Sequence, residues 1–197
     1  MKTFPIIGAA LLLAACGANE TADSSADDTT DAATNTTTAD AGGMAADATA
    51  MSNVPTDAAG YVAMAGAGDM WEIESSKAFL AKSDNADLKK FAQMMVDNHT
   101  QSTEKLKAAA KTANLTSLAP KLDVDQQRML DEIKKADPAN VDAVYLRHQA
   151  TAHQKALELH QGYAANGDND ALRKAAGEIA PVVQKHITEL GQMSSST

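Results

Sequence analysis

Residues 88–106 carry the clearest helical signal of the chain and read LKKFAQMMVDNHTQSTEKL. Apolar residues recur there every three or four positions, which places their side chains on one face of an α-helix. The polar His99 lies near the middle of this face, whereas Asp97 faces the opposite way. The stretch therefore predicts a helix with a histidine on its buried side. The predicted face comprises Leu88, Phe91, Ala92, Met95, His99, Ser102 and Leu106.

The same periodicity extends outward from this stretch in both directions. A helix is predicted from after Asp57 to about Lys82, and the helix of residues 88–106 opens at the cap Ser83-Asp84-Asn85. Glu72 lies toward the apolar face of the first of these helices, and Glu74 lies on its flank. The predicted face of the first helix comprises Tyr61, Met64, Ala65, Gly68, Trp71, Ser75 and Phe79.

Three further helices are predicted after residue 120. A short one from Asp123 to Lys135 ends before Asp137-Pro138 and reads as a crossover piece. The next is capped by Asn140 and runs to about Tyr163, and the last starts near Asp168-Asn169 with Pro181 inside it. Four long amphipathic helices without a competing strand pattern predict an all-α fold, an up-down four-helix bundle with a short extra crossover helix. The predicted face of the last helix comprises Leu172, Ala175, Ala176, Ile179, Val182, Val183, His186, Leu190 and Met193.

The N-terminus predicts a lipoprotein signal peptide over residues 1–16. Lys2 precedes an apolar run from Phe4 to Ala15, which is too short to remain as a membrane-spanning helix. The run ends in Leu13-Ala14-Ala15-Cys16-Gly17, which resembles the bacterial lipobox, in which the cysteine thiol takes a diacylglycerol. We therefore expect a periplasmic protein anchored to a membrane by lipid at Cys16, and Gly17 after the cysteine favours the outer membrane.

Residues 17–56 predict a disordered acidic tether. They are rich in Ala, Thr, Ser and Asp, contain neither Lys nor Arg, and cannot bury a core. The whole chain of 197 residues has a formal net charge of -9 and shows no basic patch, so a nucleic-acid partner is excluded. The length leaves one folded domain, predicted at 57–193.

Landmarks in four of the predicted helices resemble those of the bacterial domain of unknown function 4142 family over about residues 57–192. Members of that family resemble ferritin-like four-helix bundles that are exported, often as lipoproteins, and no biochemical activity is established for them. The resemblance implies a ferritin-like fold here and leaves the reaction open. It rests on Tyr61 with Trp71-Glu72-Ile73-Glu74, on Phe91-Ala92-Gln93-Met94-Met95-Val96-Asp97-Asn98-His99, on Tyr145 to His153, and on Ala180-Pro181-Val182-Val183-Gln184-Lys185-His186.

The resemblance also implies four recurrent polar positions, Glu72, His99, His153 and His186, one on each long helix. Helical bundles build metal sites from side chains that project inward from facing helices, and Glu with imidazole suits Fe, Zn, Mn or Cu. The carboxylate-bridged di-iron pattern needs Glu-x-x-His twice, and this sequence contains no such pair. A mononuclear site therefore stays open, and it requires the ligand atoms to converge within about 5 Å.

A structural explanation competes with metal binding for each of these histidines. A histidine on an apolar face is usually a core residue whose ring nitrogens find a carbonyl, hydroxyl or carboxylate partner. His148 and His160 lack support from the resemblance and are predicted at the edges of their helix, and the methionines are predicted to fill the core.

Two functions of different classes remain open at this point. No complete catalytic set is visible, which favours a non-enzymatic envelope module that binds a partner protein or a small ligand. The alternative is a ferritin-like protein that binds a transition metal through Glu72, His99, His153 and His186.

Overall fold

The computed structural model describes residues 54–115 and 119–195, and these residues form five α-helices and no strand. The all-α prediction is therefore confirmed. The predictions for the signal peptide, for Cys16 and for the tether up to residue 53 lie outside the described residues. None of the described helices combines the length and the apolar character needed to cross a bilayer. The helices are α1 (Ala58–Leu80), α2 (Ala86–Thr112), α3 (Val124–Lys135), α4 (Val141–Asn166) and α5 (Asp170–Ser194).

Side-chain caps explain where most of these helices begin. The Asn85 carboxamide oxygen accepts hydrogen bonds from two backbone N–H groups in the first turn of α2. Asp123 and Gln126 form a reciprocal capping box at α3. Asn140 precedes α4 as predicted but makes no side-chain cap hydrogen bond. Its backbone lies in the helical region rather than the extended one from which a capping side chain reaches the first turn.

Two apolar clusters mark the opposite ends of the bundle and fix the direction of each helix. One cluster contains Phe79 near the end of α1 and Phe91 near the start of α2; the other contains Tyr61 near the start of α1 and Leu106 late in α2. Helices α1 and α2 are therefore antiparallel. By the same comparison, α4 runs in the direction of α2, and α5 returns in the direction of α1.

The predicted up-down order of the four long helices is wrong in one respect, because α2 and α4 run in the same direction. The connection between them must return along the bundle, and α3 lies within it, packed against α1 and α4. Contacts are most extensive between α1 and α2 and between α4 and α5, and they also join α1 to α4 and α2 to α5. Each long helix thus has two antiparallel neighbours.

Three residues lie in surroundings that the sequence did not predict. Met64 is predicted on the buried face of α1 but is 47% exposed, because it lines a cavity between α1, α3 and α4 instead of packing against another helix. Val182 was placed on the buried face of α5 but is 41% exposed, because it lies at the edge of that face beside the buried Val183. Val54, assigned to the tether, instead packs against the apolar cluster around Tyr61.

Candidate metal centre

The four predicted ligand residues lie at the middle of the bundle, one on each long helix. Glu72 is on α1, His99 on α2, His153 on α4 and His186 on α5, and none is more than 5% exposed. On every one of these helices, residues of one apolar cluster precede the polar residue and residues of the other follow it. We call Glu72, His99, His153 and His186, together with Asp69, the histidine layer.

Three of the four predicted ligands converge. One ring nitrogen from each of His99, His153 and His186 lies within 4.8 Å of the others. Within this group, Nε2 of His153 and Nδ1 of His186 are 3.2 Å apart. A metal with bonds of about 2.0–2.1 Å would hold such atoms roughly 3.4 Å apart, so small side-chain rotations would bring all three within reach of one ion.

Nδ1 of His99, the ring nitrogen on the side of α1, contacts a carboxylate that was not predicted from the sequence. Asp69 on α1 is 4% exposed, and its Oδ1 lies 2.8 Å from Nδ1 of His99. The other oxygen of Asp69 accepts a hydrogen bond of 3.2 Å from Thr103. Nε2 of His99 is buried and has no hydrogen-bond partner among the described residues. The position of Asp69, one helical turn before Glu72, was a signal that could have identified it.

The other two histidines are oriented by a chain of hydrogen bonds. The Asn98 amide nitrogen lies 2.9 Å from Nε2 of His186, and Nδ1 of His153 lies 3.0 Å from the carbonyl oxygen of Gln149. These contacts are consistent with Asn98 donating to His186, His186 donating to Nε2 of His153, and His153 donating to Gln149. A half-turn of the Asn98 amide would let its oxygen accept from Nε2 of His186 instead, and Nδ1 of His186 would then be free to bind a metal.

Glu72 lies beside the three converging nitrogens rather than among them. Its Oε1 is 3.2 Å from Nδ1 of His153, the nitrogen that faces away from His186. Its Oε2 is buried and finds no hydrogen-bond partner in the part of the chain that the structure describes. The structure therefore gives Glu72 a contact with one candidate ligand and leaves one of its oxygens available.

Burial and charge act in opposite directions across the histidine layer. Burial raises the pKa of Glu72, but the charge and hydrogen bond of His153 outweigh burial and leave the pKa below its usual value. Burial likewise lowers the pKa of His99, but the hydrogen bond that its Nδ1–H donates to Asp69 and the charge of Glu72 outweigh burial and raise the pKa. For His186, burial and the nearby charges of His99 and His153 lower the pKa to about 3. His186 is therefore neutral at pH 7, as a metal ligand must be.

The two histidines predicted at helix edges are both buried and both have partners. His148 is 5% exposed, and its Nε2 lies 2.8 Å from a carboxylate oxygen of Glu132 on α3. His160 is 4% exposed, and its Nδ1 lies 2.9 Å from the hydroxyl of Tyr61. Burial lowers the pKa of His160 to about 4. Neither residue is among the three histidines that converge.

The fold and the site define an all-helical protein with a cluster of histidines buried at the centre of a helical bundle. The chain belongs to the DUF4142 family, a domain of unknown function whose family model matches residues 41–193. The family predicted from the sequence is thereby confirmed. No curated protein and no solved structure was found to match the chain.

Proposed function

We propose that this protein is a periplasmic lipoprotein whose helical bundle binds one transition-metal ion through His99, His153 and His186. The observation that carries the proposal is the convergence of three ring nitrogens within 4.8 Å at a buried position. Imidazole ligands suit Zn, Cu and Fe, and a neighbouring carboxylate also admits Mn. The donor atoms are compatible with all four of these metals.

The partners of the outward nitrogens support the proposal. Metal-binding histidines usually hold their second ring nitrogen against a carboxylate, a carbonyl or another polar group, which fixes the ring and its tautomer. Asp69, the carbonyl of Gln149 and Asn98 supply such partners here. Burying unpartnered polar atoms such as Nε2 of His99 costs free energy, and a bound ion would offset that cost.

Glu72 is the proposed acidic neighbour of the ion. Its carboxylate lies against His153 and stays ionised because its pKa is lowered, so it would balance part of the positive charge of the metal. Its unpartnered Oε2 can also accept a hydrogen bond from a water molecule bound to the ion. A single neighbouring carboxylate fits a mononuclear site, consistent with the absence of any Glu-x-x-His motif from the sequence.

We assign the bundle to the ferritin-like class on the basis of its connections. Four long helices with one long crossover between the second and the third are the arrangement of that class. Here the crossover is the segment from α2 to α4 that contains α3.

Metal analysis of the purified full-length protein tests the proposal. The protein is stripped with a chelator and reloaded separately with Zn, Cu, Fe and Mn, and the bound metal is counted after desalting. We expect about one equivalent per chain of at least one of these metals. His99→Gln and His186→Gln should lose it, whereas the matched control His148→Gln removes a buried histidine outside the layer and should retain it.

Circular dichroism of each variant separates loss of binding from loss of folding. Full-length protein that stays helical and takes up no more metal than its His99→Gln variant would overturn the metal proposal. The remaining candidate would then be an envelope module that binds a protein partner or a small ligand without metal.

The lipid anchor is a separate part of the proposal and rests on the Leu13-Ala14-Ala15-Cys16 motif. Expression in a bacterial host with radiolabelled palmitate tests it. The full-length protein should carry label in the membrane fraction, and Cys16→Ser should carry none. Equal labelling of the two proteins would contradict the anchor and would leave the metal site unaffected.

A further inference from the structure

A cleft connects the histidine layer with the surface of the bundle. It is a cavity of about 270 Å³ between α1 and α4, bordered on one side by α3 and the segment that leads into it. The exposed Met64 and Lys155 line its outer part, and the buried Asp69, Glu72 and His99 line its inner part. We call this cavity the α1–α4 cleft.

Three residues that line the cleft carry buried polar atoms without a partner. These atoms are Nε1 of Trp71, Oε2 of Glu72 and Nε2 of His99, and none has a hydrogen-bond partner within the described residues. The indole N–H is a donor, the carboxylate oxygen is an acceptor, and the imidazole nitrogen can bind a metal. Buried groups of this kind usually have partners, so their grouping on one cavity indicates that a small polar ligand belongs there.

The wall of the cleft is kept open by small residues. Gly68 lies on α1, where a Cβ atom would meet no other atom within 4 Å. Ala152 and Ala156 line the opposite wall on α4. Larger side chains at these positions would fill the path toward His99.

We propose that the metal site is an open one, whose remaining coordination position faces the α1–α4 cleft and binds an exchangeable water or a small inorganic anion. This inference rests on the proposed function. Three histidines leave a fourth position in a tetrahedral site, and open positions of this kind distinguish reactive metal sites from closed structural ones. The Trp71 N–H can donate a hydrogen bond to a bound anion, and Oε2 of Glu72 can accept one from a bound water.

A second cavity beside the histidine layer makes it possible to test by which path an anion reaches the metal. A smaller cavity of about 130 Å³ lies between α2 and α5 and is lined by His99 and His186. A leucine at Gly68 would fill the α1–α4 cleft and leave this second cavity unchanged. Gly191 on α5 is the matched control, because it is also a helical glycine with nothing within 4 Å of its Cβ position and it lines neither cavity.

The experiment uses the full-length protein loaded with Co(II), whose visible absorption reports changes in its ligands, and azide as the probe anion. We expect azide to shift the spectrum of the wild-type protein and of Gly191→Leu with similar affinity. Gly68→Leu should bind cobalt equally well but weaken the apparent azide affinity by at least about tenfold.

Three other results are possible, and each contradicts a different claim: metal binding, the open coordination position or the route through the cleft. Failure of cobalt and of every metal tested above to load would overturn the proposed function. Cobalt loading with no azide response would overturn the open position and leave metal binding intact. Equal azide affinities of Gly68→Leu and Gly191→Leu would overturn the assignment of the α1–α4 cleft as the route.

Discussion

The buried pair of His160 and Tyr61 predicts a loss of stability in mild acid. Burial is the main reason why the pKa of His160 is lowered from 6.5 to about 4; the charge of His99 lowers it further, and Asp69 opposes both. As pH falls below 6.5, the unfolded chain therefore binds the proton before the folded one does, and the free energy of unfolding decreases. The difference between the two pKa values corresponds to about 2 kcal/mol between pH 7.5 and pH 5, and to about 3 kcal/mol by pH 4.

Urea denaturation of the chelator-treated protein at several pH values measures this effect. His160→Gln keeps a polar side chain beside the Tyr61 hydroxyl but does not titrate. The variant should therefore lose about 2 kcal/mol less than the wild-type protein between pH 7.5 and pH 5. All other titrating groups are common to the two proteins, so their contributions cancel in the comparison. Parallel stability curves, or an NMR titration of His160 near pH 6.5, would refute the reasoning.

Two further predictions concern packing, and urea denaturation measures both. Ile133 on α3 is fully buried, so Ile133→Ala should cost about 2–5 kcal/mol, whereas Val124→Ala on the same helix, at a residue 86% exposed, should change stability by less than about 0.5 kcal/mol. Equal effects would mean that α3 is not packed. Tyr145→Phe should cost about 1–3 kcal/mol because it removes the 2.7 Å partner of the buried Ser76 hydroxyl, and adding Ser76→Ala should recover part of the loss. No recovery would contradict this pairing.

Much of the helical architecture could be predicted because it depends on local spacing. The apolar residues around His99 repeat at helical spacing, and the structure buries Phe91, Met95 and Leu106 as expected. The cap at Asn85 also follows from local sequence. Periodicity shows which face of a helix is apolar, but it does not show what covers that face. Met64 illustrates the difference, since it lies on the predicted face and borders an open cleft.

The contacts of the candidate site were harder to predict because they depend on how neighbouring helices align. Asp69 and His99 are on different helices, and their 2.8 Å contact requires the correct register between α1 and α2. A clue was present, since the two residues lie at similar distances along the chain on either side of Ser83 in the connecting loop. In an antiparallel pair, such residues come to the same level. The α1–α4 cleft had no comparable signal, because it arises from packing among segments that are distant in sequence.

Because of where the histidine layer lies, the folding of the bundle does not depend on whether the site holds a metal ion. The two main apolar clusters lie on either side of the layer and include none of its residues. Each cluster draws side chains from all four long helices, so the helices are held together both above and below the polar residues. Small metal-dependent domains unfold without their ion because the ion replaces a missing core. Here the core is complete without it, so the scaffold can hold the three histidines in nearly fixed positions before any ligand binds, as a selective binding site requires.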